Sequence, residues 1–376
     1  MVARVPFVDL AAQEREVAPE VLAAVARVAS EASFILGPHV EAFECWLAGA
    51  SGVGHAVGVA SGSDALELGL RALDVGPGDA VVTPAVSFVA TAEAIVAAGA
   101  RPVFCDVDAA TMNGTERTFD EALGRAARDG LRVKALLPVD LFGLCAPLGA
   151  LRSLAAERGL ALVEDAAQAI GARDGEGQPA GSTGDAGCFS FFPTKGLGAW
   201  GDGGAIVTAR SDVAARVRRL RAHGASAPYV HPELGRNSRL DALQATVLLA
   251  KAPRLPVWQA RRTLAARRYV EELAGLPLTL PVEPAPPAVH AWHAFVVRCD
   301  RRDALHAWLR GRDVDTRVYY PVPMHRQGCF APLQEPPLPE AETTCRTSLA
   351  LPLFTAMTDD QQTQVIEAVR GFFARA

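Results

Sequence analysis

The sequence predicts an α/β protein whose mostly parallel sheet is covered by helices on both faces, followed by a smaller α+β domain. Short apolar runs alternate with helical patterns over roughly the first 210 residues, which is typical of a parallel sheet. The chain then becomes mainly helical, and a proline-rich stretch precedes a further strand, helix, strand and helix. A chain of 376 residues is long enough for about two domains. We place them at residues 1–250, with an N-terminal arm, and 251–376.

The predicted strands of the first domain are short apolar runs, and they are taken as buried strands of a parallel sheet. They are Ala56–Ala60, Ala80–Thr83, Pro102–Asp106, Lys134–Val139, Leu160–Glu164 and Ala205–Thr208. Apolar residues at helical spacing predict the helices Asp64–Leu73, Val89–Ala98, Leu148–Arg158, Asp241–Lys251 and Trp258–Leu273. The segment Pro277–Pro287 is typical of a linker or a surface crossing. Beyond it we predict strands Ala294–Arg298 and Val314–Tyr320, a proline-rich loop at Pro332–Pro339, and helices Arg302–Arg310 and Asp359–Ala374.

Composition argues against several classes of partner. The net charge is −5, so no overall positive field attracts nucleic acid or an anionic membrane. The most apolar long stretch, Ala80–Ala100, contains Pro84 and Glu93, and a buried strand and helix explain it better than a membrane span. The seven scattered cysteines form no C-x-x-C pattern and indicate reduced thiols rather than disulfides or a zinc site. The N-terminus carries charges where a signal peptide needs an apolar core, so we expect a cytoplasmic protein.

Lysine is rare in this chain, which limits amine chemistry to Lys134, Lys195 and Lys251. Lys195 lies among aromatic residues, glycines and hydroxyl groups in Cys188-Phe-Ser-Phe-Phe-Pro-Thr-Lys-Gly-Leu-Gly198. Desolvation lowers the pKa of a lysine, so its amine can be a nucleophile at neutral pH and form a Schiff base with a carbonyl cofactor. A surface lysine in a glycine-rich loop explains the motif about equally well.

An acidic strand end makes the cofactor interpretation stronger. The predicted strand in Leu160-Ala-Leu-Val-Glu-Asp-Ala-Ala-Gln168 ends where a parallel sheet places its ligands. Pyridoxal 5′-phosphate (PLP) needs a carboxylate against its pyridine nitrogen, because the protonated ring is an electron sink. Asp165 is the candidate for that carboxylate, and Gln168 could bond the ring hydroxyl. The alternative is that Glu164 or Asp165 only caps the next helix.

Two further motifs fit the same cofactor. In Val59-Ala-Ser-Gly-Ser-Asp-Ala-Leu66 a strand runs through a turn into a helix, whose free amides form an anion site. The amides of Gly62 and Ser63, together with Ser190, would hold the phosphate, although an ordinary serine cap is the commoner explanation of that motif alone. Phe88 follows another strand and could stack on the pyridine ring, or it could simply pack in the core. The glycine patterns of nucleotide hydrolases and of dinucleotide-binding folds are not found at the expected places.

With these motifs in place, the chain resembles the DegT/DnrJ/EryC1/StrS sugar aminotransferases, PLP enzymes of fold type I. The resemblance runs nearly end to end and rests on ordered motifs rather than on any single one. They include Phe34-Ile-Leu-Gly-Pro38, Ser61-Gly-Ser-Asp-Ala-Leu66, Gly99-Ala-Arg-Pro-Val-Phe104, Glu164-Asp-Ala-Ala-Gln168, Phe189-Ser-Phe-Phe-Pro-Thr-Lys195, Gly201-Asp-Gly-Gly-Ala205, Asn237-Ser-Arg-Leu-Asp-Ala-Leu-Gln244 and Leu351-Pro-Leu353.

The resemblance implies a seven-stranded sheet, a homodimer with shared active sites, and a role for each candidate residue. Lys195 would be the Schiff-base lysine, Asp165 would face the pyridine nitrogen, Gln168 the ring hydroxyl and Phe88 the ring face. The phosphate would lie on Gly62, Ser63 and Ser190, completed by Asn237 of the partner subunit. Arg239, Tyr319, Tyr320 and His325 would contact the sugar nucleotide. The chain departs from the family at Gly196, where asparagine is usual, and at Tyr319, where histidine is usual.

The implied reaction is a ping-pong transamination through pyridoxamine phosphate. L-glutamate would donate its amino group to a nucleotide-linked keto-deoxyhexose, with dTDP as the expected nucleotide, in the amino-sugar biosynthesis of secondary metabolism. The form Asn237-Ser-Arg-Leu-Asp241 resembles members that act on 3-keto sugars, so C3 is favoured over C4. A keto-cyclitol acceptor and a cofactor-free regulator with the same fold stay open as alternatives. A PLP-dependent dehydratase is disfavoured, because those relatives replace the lysine that is present here as Lys195.

Overall fold

The computed structural model describes residues 4–374, and its centre is a seven-stranded sheet. Its strands in chain order are β1 (His55–Val59), β2 (Asp79–Pro84), β3 (Arg101–Cys105), β4 (Arg132–Leu136), β5 (Ala161–Asp165), β6 (Ala186–Ser190) and β7 (Gly204–Thr208). They lie side by side in the order β1-β7-β6-β5-β4-β2-β3. β7 runs antiparallel to its neighbours β1 and β6, whereas the pairs from β6 to β3 are parallel. The mostly parallel sheet expected from the sequence is thus confirmed.

Helices cover both faces of this sheet, as the sequence predicts. They are α1 (Leu10–Arg15), α2 (Ala18–Glu31), α3 (Pro38–Ala50), α4 (Gly62–Ala72), α5 (Ala90–Ala97), α6 (Glu116–Arg128), α7 (Leu148–Arg158), α8 (Ser211–Leu220), α9 (Ala242–Lys251) and α10 (Leu255–Glu272). Successive residues of β7 show how the faces are shared. Ala205 and Val207 pack in the core with α2, α3 and α9, whereas Ile206 between them packs with α4 and α8. β7 is therefore buried on both sides, which is why its sequence is a nearly unbroken apolar run.

The C-terminal part of the chain adds a small two-stranded sheet and three helices. These are β8 (Phe295–Arg298), α11 (Arg302–Arg310), α12 (Pro339–Thr347), β9 (Ser348–Leu351) and α13 (Asp359–Phe373). β8, β9, α11 and α13 enclose an apolar core together with α10, and Val5 of the N-terminal arm also belongs to it. Val5 and Val314 form a parallel bridge that ties the arm to this core.

The predicted strand Val314–Tyr320 is wrong. Its backbone is divided between two partners, because Val314 bridges Val5 and Arg317 bridges Ala350 of β9, and no continuous ladder forms. The segment instead brings Tyr319 and Tyr320 to the wall of a cavity. The sequence also predicted no strand at β6, which contains no β-branched residue.

The topology gathers several strand ends at one edge of the large sheet. β1 ends just before Ser61, β2 just before Phe88, β5 at Asp165 and β6 at Ser190. Because β7 is antiparallel, the glycine-rich segment before it starts at the same edge. No helix within residues 4–374 is long and apolar enough to cross a membrane.

Candidate active site

A cavity of about 570 Å³ opens at this edge of the sheet. Nine of the residues predicted from the sequence line it: Gly62, Ser63, Phe88, Asp165, Gln168, Ser190, Lys195, Tyr319 and Tyr320. They come from widely separated parts of the chain. The fold therefore brings together most of the predicted site, as expected for a parallel sheet whose ligands lie at the carboxyl ends of its strands.

Lys195 projects into the cavity from a tight loop after β6. The loop closes where Lys195 N–H donates to Phe192 O over 2.8 Å and Ala199 N–H donates to Phe191 O over 2.8 Å. Gly198 is required there, because a Cβ would lie 2.2 Å from the Pro193 carbonyl oxygen. Burial lowers the pKa of Lys195 to about 8, and the charge of Asp165 opposes part of this shift. About a tenth of the amine is therefore unprotonated at pH 7.

A second lysine holds the same loop in place. The ammonium group of Lys251, on α9, donates to the Gly198 carbonyl oxygen over 2.9 Å and pairs with Glu14 of α1. The other carboxylate oxygen of Glu14 accepts from Trp200 Nε1–H over 2.7 Å. Lys251 is thus a structural residue, which leaves Lys195 as the lysine of the cavity.

Asp165 lies at the floor of the cavity and is only 4% exposed. Its Oδ2 accepts from the Thr91 hydroxyl over 2.7 Å, and its Oδ1 accepts from Ala167 N–H over 3.2 Å. Burial raises the pKa of Asp165, while these hydrogen bonds and the Lys195 charge act in the opposite direction. The carboxylate can therefore accept one more strong hydrogen bond from a cationic N–H donor in the cavity. Thr91, one helical turn after Phe88, was not predicted from the sequence as a site residue.

Gln168 is oriented by two neighbours. Its Oε1 accepts from Phe142 N–H over 2.7 Å, and its Nε2 donates to the Tyr320 hydroxyl over 3.1 Å. A glutamine amide has two N–H groups, so one is left for an oxygen in the cavity.

The phosphate site predicted at Gly62 and Ser63 is the N-terminus of α4. Ser61 is the cap residue, and its hydroxyl accepts from Asp64 N–H over 3.1 Å, so the serine-cap explanation is correct. The amides of Gly62 and Ser63 stay free of intrahelical partners, as the first amides of a helix do. A Cβ at Gly62 would lie 2.6 Å from Ser190 Cβ, so glycine allows the turn to approach Ser190.

Phe88 is 56% exposed, which argues against the simple core interpretation. It lines the cavity, and its ring centroid is 6.3 Å from that of Tyr320, with the rings tilted by 41°. A large aromatic ring exposed at a cavity can offer its face to a planar ligand.

Three predicted residues are not brought to this cavity by their own chain. Asn237 is exposed and Arg239 half-buried on the segment before α9, and neither lines the cavity. His325 is buried, with its Nε2 3.1 Å from Glu342 Oε1 and its ring against Phe104. Its Nδ1 is buried without a hydrogen-bond partner among residues 4–374, and a substrate contact by His325 stays a prediction.

The structure also adds a residue that is not among the predicted site residues. His293 lines the cavity, and its Nδ1 is buried without a hydrogen-bond partner among residues 4–374. Burial lowers the pKa of His293 well below its ordinary value, and the charges of Lys195 and Arg262 add to this effect. In the sequence, His290 and His293 are three residues apart, and no other feature marks either of them as a site residue.

A slightly larger depression, of about 610 Å³, lies at the opposite edge of the sheet. Its arginines are already paired with carboxylates: Arg210 with Asp185 over 3.0 Å, and Arg216 with Asp74. Paired charges leave little capacity for a ligand, so size alone does not identify the active site.

The residues around the first cavity fit PLP. The buried Asp165 carboxylate can receive the ring nitrogen, Gln168 has an N–H for the ring hydroxyl, and the Gly62–Ser190 approach leaves a cradle for the phosphate. Lys195 supplies an amine of lowered pKa to the same space. Asp165 and Gln168 come from the end of β5, Ser190 and Lys195 from the end of β6, and Gly62 from the turn after β1.

Comparisons with known proteins identify the family of this chain. The model of the DegT/DnrJ/EryC1/StrS aminotransferase family matches residues 15–370. A UDP-N-acetyl-3-dehydro-alpha-D-glucosamine 3-aminotransferase of Acidithiobacillus ferrooxidans is 43% identical over 370 residues, 97% of each chain. A dTDP-3-amino-3,4,6-trideoxy-alpha-D-glucose transaminase of Streptomyces venezuelae is 44% identical over 376 residues, 99% of this chain and 97% of that one. The crystal structure of S. venezuelae DesV in complex with a ketimine intermediate superimposes with a TM-score of 0.94 at 43% identity, covering 100% of both chains. The chain therefore belongs to the DegT/DnrJ/EryC1/StrS aminotransferase family and is a PLP-dependent aminotransferase.

Proposed function

We propose that this enzyme transfers the amino group of L-glutamate to C3 of a nucleotide-linked 3-keto-deoxyhexose. The observation that carries the chemistry is the buried amine of Lys195, which faces the Asp165 carboxylate across one cavity. The preference for C3 has two supports. The motif Asn237-Ser-Arg-Leu-Asp241 resembles members that act on 3-keto sugars, and both relatives described above are 3-amino-sugar enzymes by name.

When bound, PLP supplies a carbonyl that exchanges amines and a ring that accepts the electron pair released from the donor α-carbon. The residues of the chain hold and move protons around it. Asp165 accepts a hydrogen bond from the ring N–H and so keeps that nitrogen protonated. Gln168 donates to the ring hydroxyl, Phe88 covers one ring face, and Ser190 with the Gly62 and Ser63 amides binds the phosphate.

Lys195 is the acid and base of the reaction. Its unprotonated Nζ would take the proton from the α-carbon of L-glutamate and, as an ammonium group, would deliver a proton to C4′ of the cofactor. A pKa of about 8 suits both roles, because the amine and the ammonium forms are populated near neutral pH. The second half-reaction reverses these proton transfers on the keto sugar and yields its amine.

We assign Tyr319 and Tyr320 to the sugar, since both line the cavity. Tyr320 is held by its hydrogen bond from Gln168, and Tyr319 packs edge-on against Phe7 at 5.7 Å. We assign Arg239 to the diphosphate, because a guanidinium group donates two parallel hydrogen bonds to a phosphate. His325 supports the loop that carries the two tyrosines, and we keep its contact with the sugar nucleotide as a weaker proposal.

We also propose that the active form is a homodimer with shared sites. Asn237 lies outside its own cavity on a segment with strongly exposed apolar residues: Tyr229 is 97% exposed and Leu234 87%. Exposed apolar residues in such a segment are typical of a covered interface. A second copy that covers them would bring Asn237 and Arg239 to the neighbouring cavity.

Mixing two inactive variants tests this sharing. Lys195→Ala removes the amine, and Asn237→Ala removes the phosphate contact. If Asn237 serves the partner, a mixed dimer contains one site with both native residues, and mixing restores activity to the hybrid fraction. If Asn237 serves its own chain, every site in the mixture keeps one defect, no activity returns, and the shared site is refuted.

The reaction itself is tested with L-glutamate and a panel of nucleotide-linked 3-keto sugars, 4-keto sugars and keto cyclitols. NMR of the product locates the new amino carbon, and attachment to C3 is expected. Lys195→Ala should abolish transfer, while Lys134→Ala, at the opposite edge of the sheet, is the matched control and should keep it. Amination at C4, or of a cyclitol only, would overturn the proposed acceptor.

The cellular setting that we propose is the cytoplasm, within amino-sugar biosynthesis of secondary metabolism. All seven cysteines are free thiols in the structure, which is typical of a reducing compartment. A fluorescent fusion followed in intact cells tests the location.

A further inference from the structure

An enzyme that takes its amino group from L-glutamate has to recognise carboxylates. Among residues 4–374, the side chains that line the cavity include no arginine, and the basic ones are Lys195 and His293. The amine of Lys195 is needed for proton transfer. If residues of the same chain bind the carboxylates of the donor, the candidates are His293 and the groups behind it, which form one wall of the cavity.

His293 is held rigidly on this wall by its backbone. His293 N–H donates to Phe142 O over 2.9 Å, and the amide of Ala291 donates to Gly143 O over 2.8 Å. Gly143 is needed in this turn, with φ +95° and a Cβ position only 3.1 Å from His293 N. The Phe142 amide of the same turn holds Gln168 Oε1, so one turn orients both the Gln168 amide and the His293 ring.

Arg262 lies directly behind His293. It is 4% exposed, and its Nη1 donates to the carbonyl oxygens of Trp292 over 3.1 Å and His293 over 3.3 Å. Within residues 4–374 no carboxylate forms an ion pair with it, and burial lowers its pKa to about 10. An arginine stays protonated even so, which leaves an uncompensated positive charge buried beside the cavity wall.

The carboxylates of the cavity lie elsewhere. Asp165 is at the floor, where it is engaged by Thr91 and Ala167. Asp202 is exposed and adjoins Gly203, and the next residue, Gly204, packs against the Ser61 carbonyl at the phosphate end. At the wall formed by His293 and Arg262, a bound anion would therefore meet positive charge with neither of these two carboxylates beside it.

We propose that His293, backed by the charge of Arg262, binds the α-carboxylate of the amino donor. The inference rests on the proposed use of L-glutamate. In an α-amino acid the carboxylate carbon is two bonds from the nitrogen, so a donor whose nitrogen takes the place of Lys195 Nζ carries its carboxylate to the adjacent wall. His293 is neutral there and offers an N–H, while Arg262 supplies the charge that favours an anion over a neutral ligand.

The test measures binding of maleate, an unreactive dicarboxylate, to the holoenzyme by calorimetry. His293→Asn and Arg262→Gln should each raise the dissociation constant of maleate on the order of 10- to 100-fold, the usual range for a lost charge-assisted hydrogen bond. The matched controls are His290→Asn, whose Nδ1 accepts from Trp292 N–H outside the cavity, and Arg261→Gln, whose guanidinium pairs with Glu16 at the surface. Both controls should bind maleate as the wild type does.

Steady-state kinetics show whether a variant has lost binding of the amino donor or of the keto sugar. In His293→Asn the KM for L-glutamate should rise while the KM for the keto sugar stays unchanged, and this variant decides the matter if Arg262→Gln does not fold. Unchanged maleate binding in His293→Asn, or an equal loss in His290→Asn, overturns the inference. Weaker binding of dTDP with unchanged maleate binding would assign the wall to the sugar nucleotide and also overturns it. If the wild-type enzyme exchanges its amine with L-glutamate but aminates no keto sugar, the proposed function is overturned. Even then, a loss of maleate binding in His293→Asn and Arg262→Gln, but not in the two controls, still supports this inference.

Discussion

Covalent capture of PLP by Lys195 should follow the titration of an amine with a pKa of about 8. Burial is the main cause that lowers this pKa from the ordinary value of 10.5. At pH 7 a pKa of about 8 leaves about 9% of the amine unprotonated, against about 0.03% for a pKa of 10.5. Lys195 should therefore react with PLP about 300 times faster at neutral pH than an exposed lysine of equal nucleophilicity.

The assay mixes apo-protein with PLP between about pH 6 and pH 10, reduces the adduct with borohydride and quantifies the labelled Lys195 peptide by mass spectrometry. The initial rate should rise about tenfold per pH unit below pH 8 and level off above it. Asp165→Asn removes a charge that raises the pKa of Lys195, so the inflection should move to lower pH. N-α-acetyl-lysine serves as the exposed control. An inflection that coincides with this control, or that moves upward in Asp165→Asn, would refute the reasoning.

Three further changes test the groups around this amine. Thr91→Val removes the 2.7 Å hydrogen bond to Asp165, and kcat should fall about 10- to 100-fold because bonds to charged groups contribute about 1.5–3 kcal/mol; an unchanged kcat contradicts the role of Thr91. Gly62→Ala places a Cβ 2.6 Å from Ser190 Cβ, so PLP affinity should fall at least about fivefold, whereas the affinity for pyridoxal, which lacks the phosphate, should not change in fluorescence titrations. Lys195→Met should stabilise the apo-protein at pH 7 by up to about 3 kcal/mol in urea unfolding. Because the pKa of Lys195 is lower in the folded state, the unfolded chain binds more protons between about pH 8 and 10.5. The free energy of unfolding of the wild type therefore rises with pH through that window. Lys195→Met should lack this rise.

The sequence predicted those parts of the site that follow from strand ends. Asp165 ends one buried apolar run and Phe88 lies four residues after another, and such runs in an alternating pattern end at one edge of a parallel sheet. Local chemistry then suggested roles, since a carboxylate, an amide and a lone lysine in such positions suit PLP. The strand before Lys195 was missed because Ala-Gly-Cys-Phe-Ser carries no β-branched residue, yet β5 and β7 on either side hold it in the sheet.

Other parts depend on contacts that no local pattern encodes. Arg262 and His293 are 31 residues apart in the chain, and their contact is a hydrogen bond from the guanidinium group to the backbone carbonyl of His293. No sequence motif signals such a contact. Val314–Tyr320 has the composition of a strand, but its backbone is shared between Val5 and Ala350, and tertiary context overrides its propensity. Asn237 is assigned to the cavity of a second copy, a placement that neither the sequence of one chain nor its own fold determines.

The rarity of lysine has a practical consequence for chemical labelling. Lys251 is buried in its ion pair with Glu14, and Lys134 lies half-buried at the far edge of the sheet. The remaining 34 of the 37 cationic residues are arginines, which do not condense with simple aldehydes under mild conditions. An aldehyde-bearing inhibitor or activity-based probe would therefore meet few competing side-chain amines on this protein, and Lys134 is the one whose labelling would have to be counted separately.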